Sequence, residues 1–257
     1  MNNLRELYKY REMIFSLVRK DLKTRYKGSV LGFLWTFINP LFQLIVYSIV
    51  FSFVMRVQMP NYYMFMFVGL LPWIFFCTCI QSGATSVVSN SDLIKKIYFP
   101  RIVLPISIVS AAFINMLFSM IIMLGALLYS GIGISQYILY FPLLLILLYC
   151  LGLGLSFIVS ALNVYLRDLE HILGILLMSL FYVTPIIYPV EMVPDKFISW
   201  MKLNPMLHMV MAFQDILYYK RNPDFQTLLV IMISSMVIIV IGYIIFQKLQ
   251  RNFVEEL

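Results

Sequence analysis

Three polar side chains, Asn39, Gln43 and Tyr47, recur every fourth residue inside an apolar run, SVLGFLWTFINPLFQLIVYSIVFSF. That spacing puts them on one helix face. Amides and a phenol there can hydrogen-bond a neighbouring helix or line a path for a polar passenger, and both readings are open. Bond-making chemistry is not in view. The chain has no HExxH and no G-x-x-x-x-G-K-[ST], and its two histidines, His171 and His208, stand apart in sequence. His208 reads as a packing residue and His171 as solvated or ion-paired. Cys77, Cys79 and Cys150 fall inside apolar runs and read as small core residues. No apolar run holds the Asp or Glu that a proton- or sodium-coupled carrier usually carries at depth. A transport role would therefore draw its energy from another subunit.

A second pattern is SNSDLIKKIYFPRIVLP at 89–105, a charged island between long apolar stretches. Leu93, Ile94, Ile97 and Tyr98 fall on one helical face, with Asp92, Lys95 and Lys96 opposite. Ser91 or Asn90 can cap the start, Asp92 suits the first turn, and Pro100 ends the helix. The spacing predicts a short amphipathic helix over 91–99. A solvated loop has no need of an apolar face, so the helix should lie on lipid or fit a groove in a partner. A basic flank of a membrane span would explain the lysines but not the periodicity.

The elements that position these groups follow from composition. The chain of 257 residues is 62% hydrophobic and 12% charged, with mean hydropathy +0.91. Soluble domains carry about 25% charged residues. Lipid must solvate most of this chain. Residues 28–55, 57–91, 102–166, 171–190 and 225–247 contain no Asp, Glu, Lys or Arg. SGIGISQ at 130–136 breaks the longest of these runs. Six spans are expected, near 30–55, 62–88, 104–129, 138–164, 171–189 and 226–247. They are helices, because a barrel would alternate polar and apolar residues. Pro40 should kink the first span.

With six spans both termini share a side, and that side holds fourteen of the Lys and Arg residues against five on the other. The termini are therefore expected in the cytoplasm. The net charge of +7 reads as topology and contact with anionic lipid, not as a nucleic-acid patch. Residues 4–27 carry a basic amphipathic pattern and should lie in the cytoplasmic interface. No cleavable leader is expected, because the first 27 residues are charged throughout and lack an apolar core. Ser107, Ser110, Asn115 and Ser119 in the third span, and the Gly152, Ser156 and Ser160 ridge in the fourth, read as packing surfaces. The outer loop 190–225 should hold two short helices that dip into the outer leaflet, with Trp200, Tyr218 and Tyr219 as interfacial anchors.

Four segments, YKGSVLGFLWTFINPLFQLIVYSIVFSF, LIKKIYFPRIVLP, TPIIYPVEMVP and LNPMLHMVMAFQDILY, resemble the membrane subunits of type-2 ABC exporters. The chain is most similar to the permeases that export O-antigen, teichoic acid and capsular polysaccharide. The likeness runs in order over essentially the whole chain. It implies an all-α integral membrane protein with an interface helix in 1–29 and a six-span domain in 30–257. It also implies a second copy of this chain, two copies of an ABC-type ATPase that binds ATP and Mg, and a lipid-linked glycan as passenger. This chain itself would hold no cofactor, no metal and no catalytic residue. The protein would sit in the bacterial cytoplasmic (inner) membrane.

On the same resemblance, the helix 91–99, with Asp92, Leu93, Ile94, Lys95, Lys96, Ile97 and Tyr98, is the coupling helix that docks on the ATPase. Spans one, two and five would line the channel. Phe33, Phe37, Tyr47 and Phe51 form a stripe on span one, beside Asn39 and Gln43, and Tyr182 and Tyr188 fall in span five. Each aromatic also fits ordinary packing. Two other functions stay open: a type-2 ABC permease for a drug or small lipid, and a passive channel or scaffold.

Overall fold

The computed structural model of the chain describes residues 8–24, 28–51 and 59–257, without the side chains of Phe33 and Val254. Residues 4–7 and 25–27 of the expected amphipathic helix, and 52–55 of the first expected span, lie outside the described residues. Among these residues every regular element is helical. The chain runs through α1 (Arg11–Thr24), α2 (Trp35–Ile49), α3 (Tyr62–Thr85), α4 (Ser91–Lys96), α5 (Val103–Tyr129) and α6 (Phe141–Tyr165). It continues through α7 (Leu169–Val183), α8 (Asp195–Met201), α9 (Pro205–Gln214), α10 (Phe225–Leu249) and α11 (Phe253–Glu256). Helices α3, α5, α6 and α10 are long and apolar enough to cross a membrane. Helices α2 and α7 are apolar but have 15 residues each. At 1.5 Å per residue each reaches about 22 Å, less than the ~30 Å hydrocarbon core.

Helix α3 is the hub and packs on α2, α5, α6, α7 and α9. Of its most apolar window 78% is buried inside the protein, against 17% for α10. Helix α10 turns Met232, Ile233, Met236, Val237, Val240, Ile241 and Ile244 outward, an exposed aliphatic stripe at helical spacing. Its other face meets α6 so closely that a Cβ on Gly154 would stand 2.6 Å from the Ile239 backbone, and a Cβ on Gly242 would strike the Gly154 carbonyl. The opposite side of α6 presents Gly152 to Cys79 and Phe75, and Ser156 to Gly83, on α3. Small residues on two faces thus let α6 sit tightly between α3 and α10. Between α5 and α6 the chain turns at Gly131 (φ +77) and Gly133 (φ +70), left-handed positions within the predicted break.

The expected fifth span, 171–189, is helical only to Val183. Pro185 biases the preceding residue away from helix, and Thr184 is extended at φ −92, ψ 134. The unwound backbone is buried and still needs hydrogen-bond partners. Side chains supply them. Gln214 Nε2 donates to the Pro185 carbonyl at 3.0 Å, and the Tyr62 hydroxyl donates to the Ile187 carbonyl at 2.5 Å. Asn204 Nδ2 donates to Thr184 Oγ1 at 3.0 Å. Helix α9 therefore acts as a wedge, buried against α3, α6 and α10, that satisfies the broken end of α7.

The segment 190–225, expected on the outer side, holds two short helices, α8 and α9. Trp200 on α8 is 75% exposed, as an anchor would be. Tyr218 and Tyr219 are not placed as lipid anchors. They pack edge-on to Phe65 at 5.4 and 6.2 Å, and Tyr218 donates its hydroxyl to the Pro60 carbonyl. A π-helical turn over Asp215–Tyr219 rotates both rings inward onto α3.

Candidate functional site

Helices α2, α3 and α7 line an open-sided cavity of about 420 Å³. Helix α2 contributes Gln43 and Tyr47, α3 contributes Trp73 and Gln81, and α7 contributes Phe181 and Tyr182. The rings form one chain of contacts. Tyr47 lies 5.4 Å from Phe181, Trp73 lies 5.9 Å from Phe181, and Phe181 lies 5.4 Å from Tyr182. Among the described residues no charged side chain lines the cavity. Ring faces beside two amides can hold a neutral, hydroxyl-rich molecule by stacking and hydrogen bonds. They cannot activate a nucleophile or move a proton at neutral pH.

The structure brings Gln43, Tyr47 and Tyr182 together and sends the other sequence candidates elsewhere. Asn39 opens into a second cavity, about 190 Å³, between α2, α3 and α5, with Thr36, Asn115 and Ser119. The single face expected for Asn39, Gln43 and Tyr47 is thus divided. Each four-residue step overshoots a helical turn by about 40°, so the ends of the triplet are about 80° apart. Tyr188 follows the unwound stretch and donates its hydroxyl to the Tyr182 carbonyl at 2.8 Å. Phe37 and Phe51 are half-buried and line neither cavity, and the side chain of Phe33 lies outside the described residues. Trp73, Gln81 and Phe181 were not singled out from sequence. The signal was present: Trp73, Cys77 and Gln81 repeat on α3 the same four-residue spacing seen on α2.

The charged island forms a shorter helix than 91–99. Helix α4 stops at Lys96, and Ile97 is extended at φ −134, ψ 134. Pro100 already constrains the chain where it turns into α5. The predicted apolar face is divided as a result. Ile94 is 8% exposed and Leu93 half-buried against the body of the protein, whereas Ile97 is 55% and Tyr98 94% exposed. The lysines are exposed beside them. A groove of about 500 Å³ separates this segment from the far end of α10.

Two polar groups of the outer region are structural. His208 is buried, and burial lowers its pKa, so the ring is neutral; its Nε2 donates to the Lys202 carbonyl at 3.0 Å. Asp215 is buried and accepts from Arg221 Nε at 2.6 Å. Burial raises its carboxyl pKa, and the Arg221 interaction offsets only part of that rise. Among the described residues no group of three or more His, Cys, Asp or Glu could hold a metal ion.

A helical bundle with several helices long and apolar enough to cross a membrane defines a multi-pass membrane protein. The chain matches the ABC-2 type transporter family over residues 12–218, and it belongs to that family. It is 39% identical over 256 residues to the O-antigen export system permease protein RfbA of Myxococcus xanthus, covering 99% of this chain and 98% of that protein. A protein of the same designation in Klebsiella pneumoniae is 35% identical over 248 residues, covering 96% and 95% of the two chains. The polysialic acid transport protein KpsM of Escherichia coli is 26% identical over 204 residues, covering 76% and 77%.

Proposed function

We propose that this chain is the permease subunit of an ATP-driven exporter of lipid-linked polysaccharide. The observation that carries the reading is the cavity of Gln43, Tyr47, Trp73, Gln81, Phe181 and Tyr182. Its uncharged rings and amides suit sugar rings that must slide and not stay, and the related O-antigen and polysialic acid proteins support that class of passenger. The chain crosses the inner membrane six times, with α2 and α7, the latter completed by its unwound end, as the two short passes. Both termini lie in the cytoplasm, where α1 rests in the interface. Two copies of the chain face each other and two ABC-type ATPase subunits, which bind ATP and Mg, dock on the 91–99 segment. A neutral glycan follows the α2, α3 and α7 faces outward when ATP closes the ATPase pair.

The test is surface display of polysaccharide in the native cell, with the gene replaced by variants. Gln81→Leu and Trp73→Leu should insert normally and retain the ATPase on purification, while polysaccharide at the surface falls several-fold. Unchanged display from both variants would reject the cavity as the passenger path. Loss of a different exported compound, with polysaccharide intact, would reject the passenger class.

A further inference from the structure

The groove beside α4 has no place in that path. Its walls include Lys95, Lys96, Arg101, Arg251, Gln247 and Tyr243, from α4, the approach to α5 and the end of α10. The aromatic cavity is built from α2, α3 and α7, so the two share no helix. Four cationic side chains line the groove and, among the described residues, no Asp or Glu does. Arg101 donates through Nη1 to the Gln250 carbonyl and lies over the Phe253 ring at 5.9 Å, which fixes its guanidinium and leaves other N–H groups for an anion. Lys95, Lys96 and Arg251 are exposed, and no ion pair is formed by any of the four among the described residues. Like charges gathered in one groove repel, and a multiply charged anion relieves that repulsion.

We propose that this groove seats the headgroup of a resident membrane lipid carrying two phosphodiester charges, of the diphosphatidylglycerol type. The neighbouring surface says why the anion is a lipid. Directly along α10 from Gln247 and Tyr243 runs the exposed stripe of Ile244, Ile241, Val240 and Val237, which can carry the acyl chains while the phosphates sit among the cations. Basic pockets at helix ends on a membrane surface have the chemistry for such headgroups, and a volume of about 500 Å³ accommodates one. The inference goes beyond the exporter reading and does not depend on which passenger is moved; Ile97 and Tyr98, which that reading gives to the ATPase, also line the groove, so the headgroup sits on its α10 side, against Arg101 and Arg251.

The experiment is native mass spectrometry of the purified chain, with any partner that co-purifies, titrated in detergent. The probes are diphosphatidylglycerol, phosphatidylcholine, farnesyl diphosphate and inorganic pyrophosphate. Diphosphatidylglycerol should bind at concentrations where phosphatidylcholine does not. Arg251→Gln should weaken it about five-fold and Arg101→Gln with Arg251→Gln further, at about that factor per cation. Lys248→Gln removes a charge of the same sign from α10 outside the groove and should leave binding unchanged. Arg251 is exposed and its substitution alone is read if the double variant loses its thermal transition. Equal weakening by Lys248→Gln would reduce the effect to general surface charge and overturn the site. Equal binding of phosphatidylcholine, or equal competition by pyrophosphate, would overturn a diphosphate lipid site. Tighter binding of farnesyl diphosphate would make the ligand a lipid diphosphate of the carrier class and overturn the resident lipid.

Discussion

Ser119 Oγ stands 3.2 Å from the Thr36 carbonyl, which Pro40 leaves without a helical donor, and 3.2 Å from the Asn115 carbonyl of its own helix, so its one proton is shared between the two. Helix α5 thus repairs the break that proline makes in α2. Ser119 and Thr36 are both buried. Ser119→Ala should cost about 1–3 kcal/mol through the bare carbonyl. Pro40→Ala restores the backbone N–H, so the same Ser119→Ala change should cost clearly less in that background. Unfolding midpoints of the four proteins in one detergent measure the coupling, and simple additivity would reject it.

Gln214 does for α7 what Ser119 does for α2. Gln214→Met keeps the volume and removes the donor to the Pro185 carbonyl. The expected result is a loss of about 1–3 kcal/mol and faster hydrogen exchange confined to residues 184–188 and their neighbours. Exchange that is unchanged there would show that the unwound segment does not depend on α9.

Gly154 and Gly242 face each other where α6 crosses α10. Alanine at either position puts a Cβ against backbone, which cannot move aside as a side-chain tip can. Gly154→Ala and Gly242→Ala should sharply lower the yield of folded protein, read by size-exclusion profile and thermal midpoint. Gly125→Ala, where a Cβ meets nothing within 4 Å, should be neutral or slightly stabilising in its helix.

Ile97 and Tyr98 are the most exposed apolar side chains of the charged island. Because they contribute little to the chain's own core, Ile97→Asp with Tyr98→Asp should leave insertion and thermal stability nearly unchanged. Recovery of the ATPase subunit and polysaccharide display should both fall at least ten-fold if this segment docks on it. Normal export from the double variant would reject the docking role.

Asp215 predicts a pH response of the outer region. Burial raises its pKa, so the folded protein holds the proton more tightly than the unfolded chain does. Its stabilising contribution is fully present below the ordinary carboxylate value of about 3.9 and is lost as pH rises through the raised value. The unfolding midpoint should therefore fall with rising pH over that window more in the wild type than in Asp215→Asn. Parallel profiles for the two proteins would reject the assignment.

Periodicity and composition made the helical class, the break at 130–136 and the two outer helices readable from the residues alone. The polar spacing on α2 picked out Gln43 and Tyr47, which the structure sets in one cavity, but could not separate them from Asn39, because a small angular drift decides which neighbours each side chain meets. Trp73 and Phe181 were hidden among equally apolar residues until α3 and α7 were set side by side.

The sequence by itself determined that this chain is helical and membrane-embedded, because those properties follow from residue type and spacing. Only the tertiary structure decided that α3 is the hub while α10 faces outward. Lipid tails and protein interiors are both apolar, so hydropathy cannot tell one from the other. The structure likewise decided which side chains complete the backbone at Pro40 and Pro185. Those partners lie 83 and 29 positions away along the chain, and no local pattern encodes a hydrogen bond across that distance.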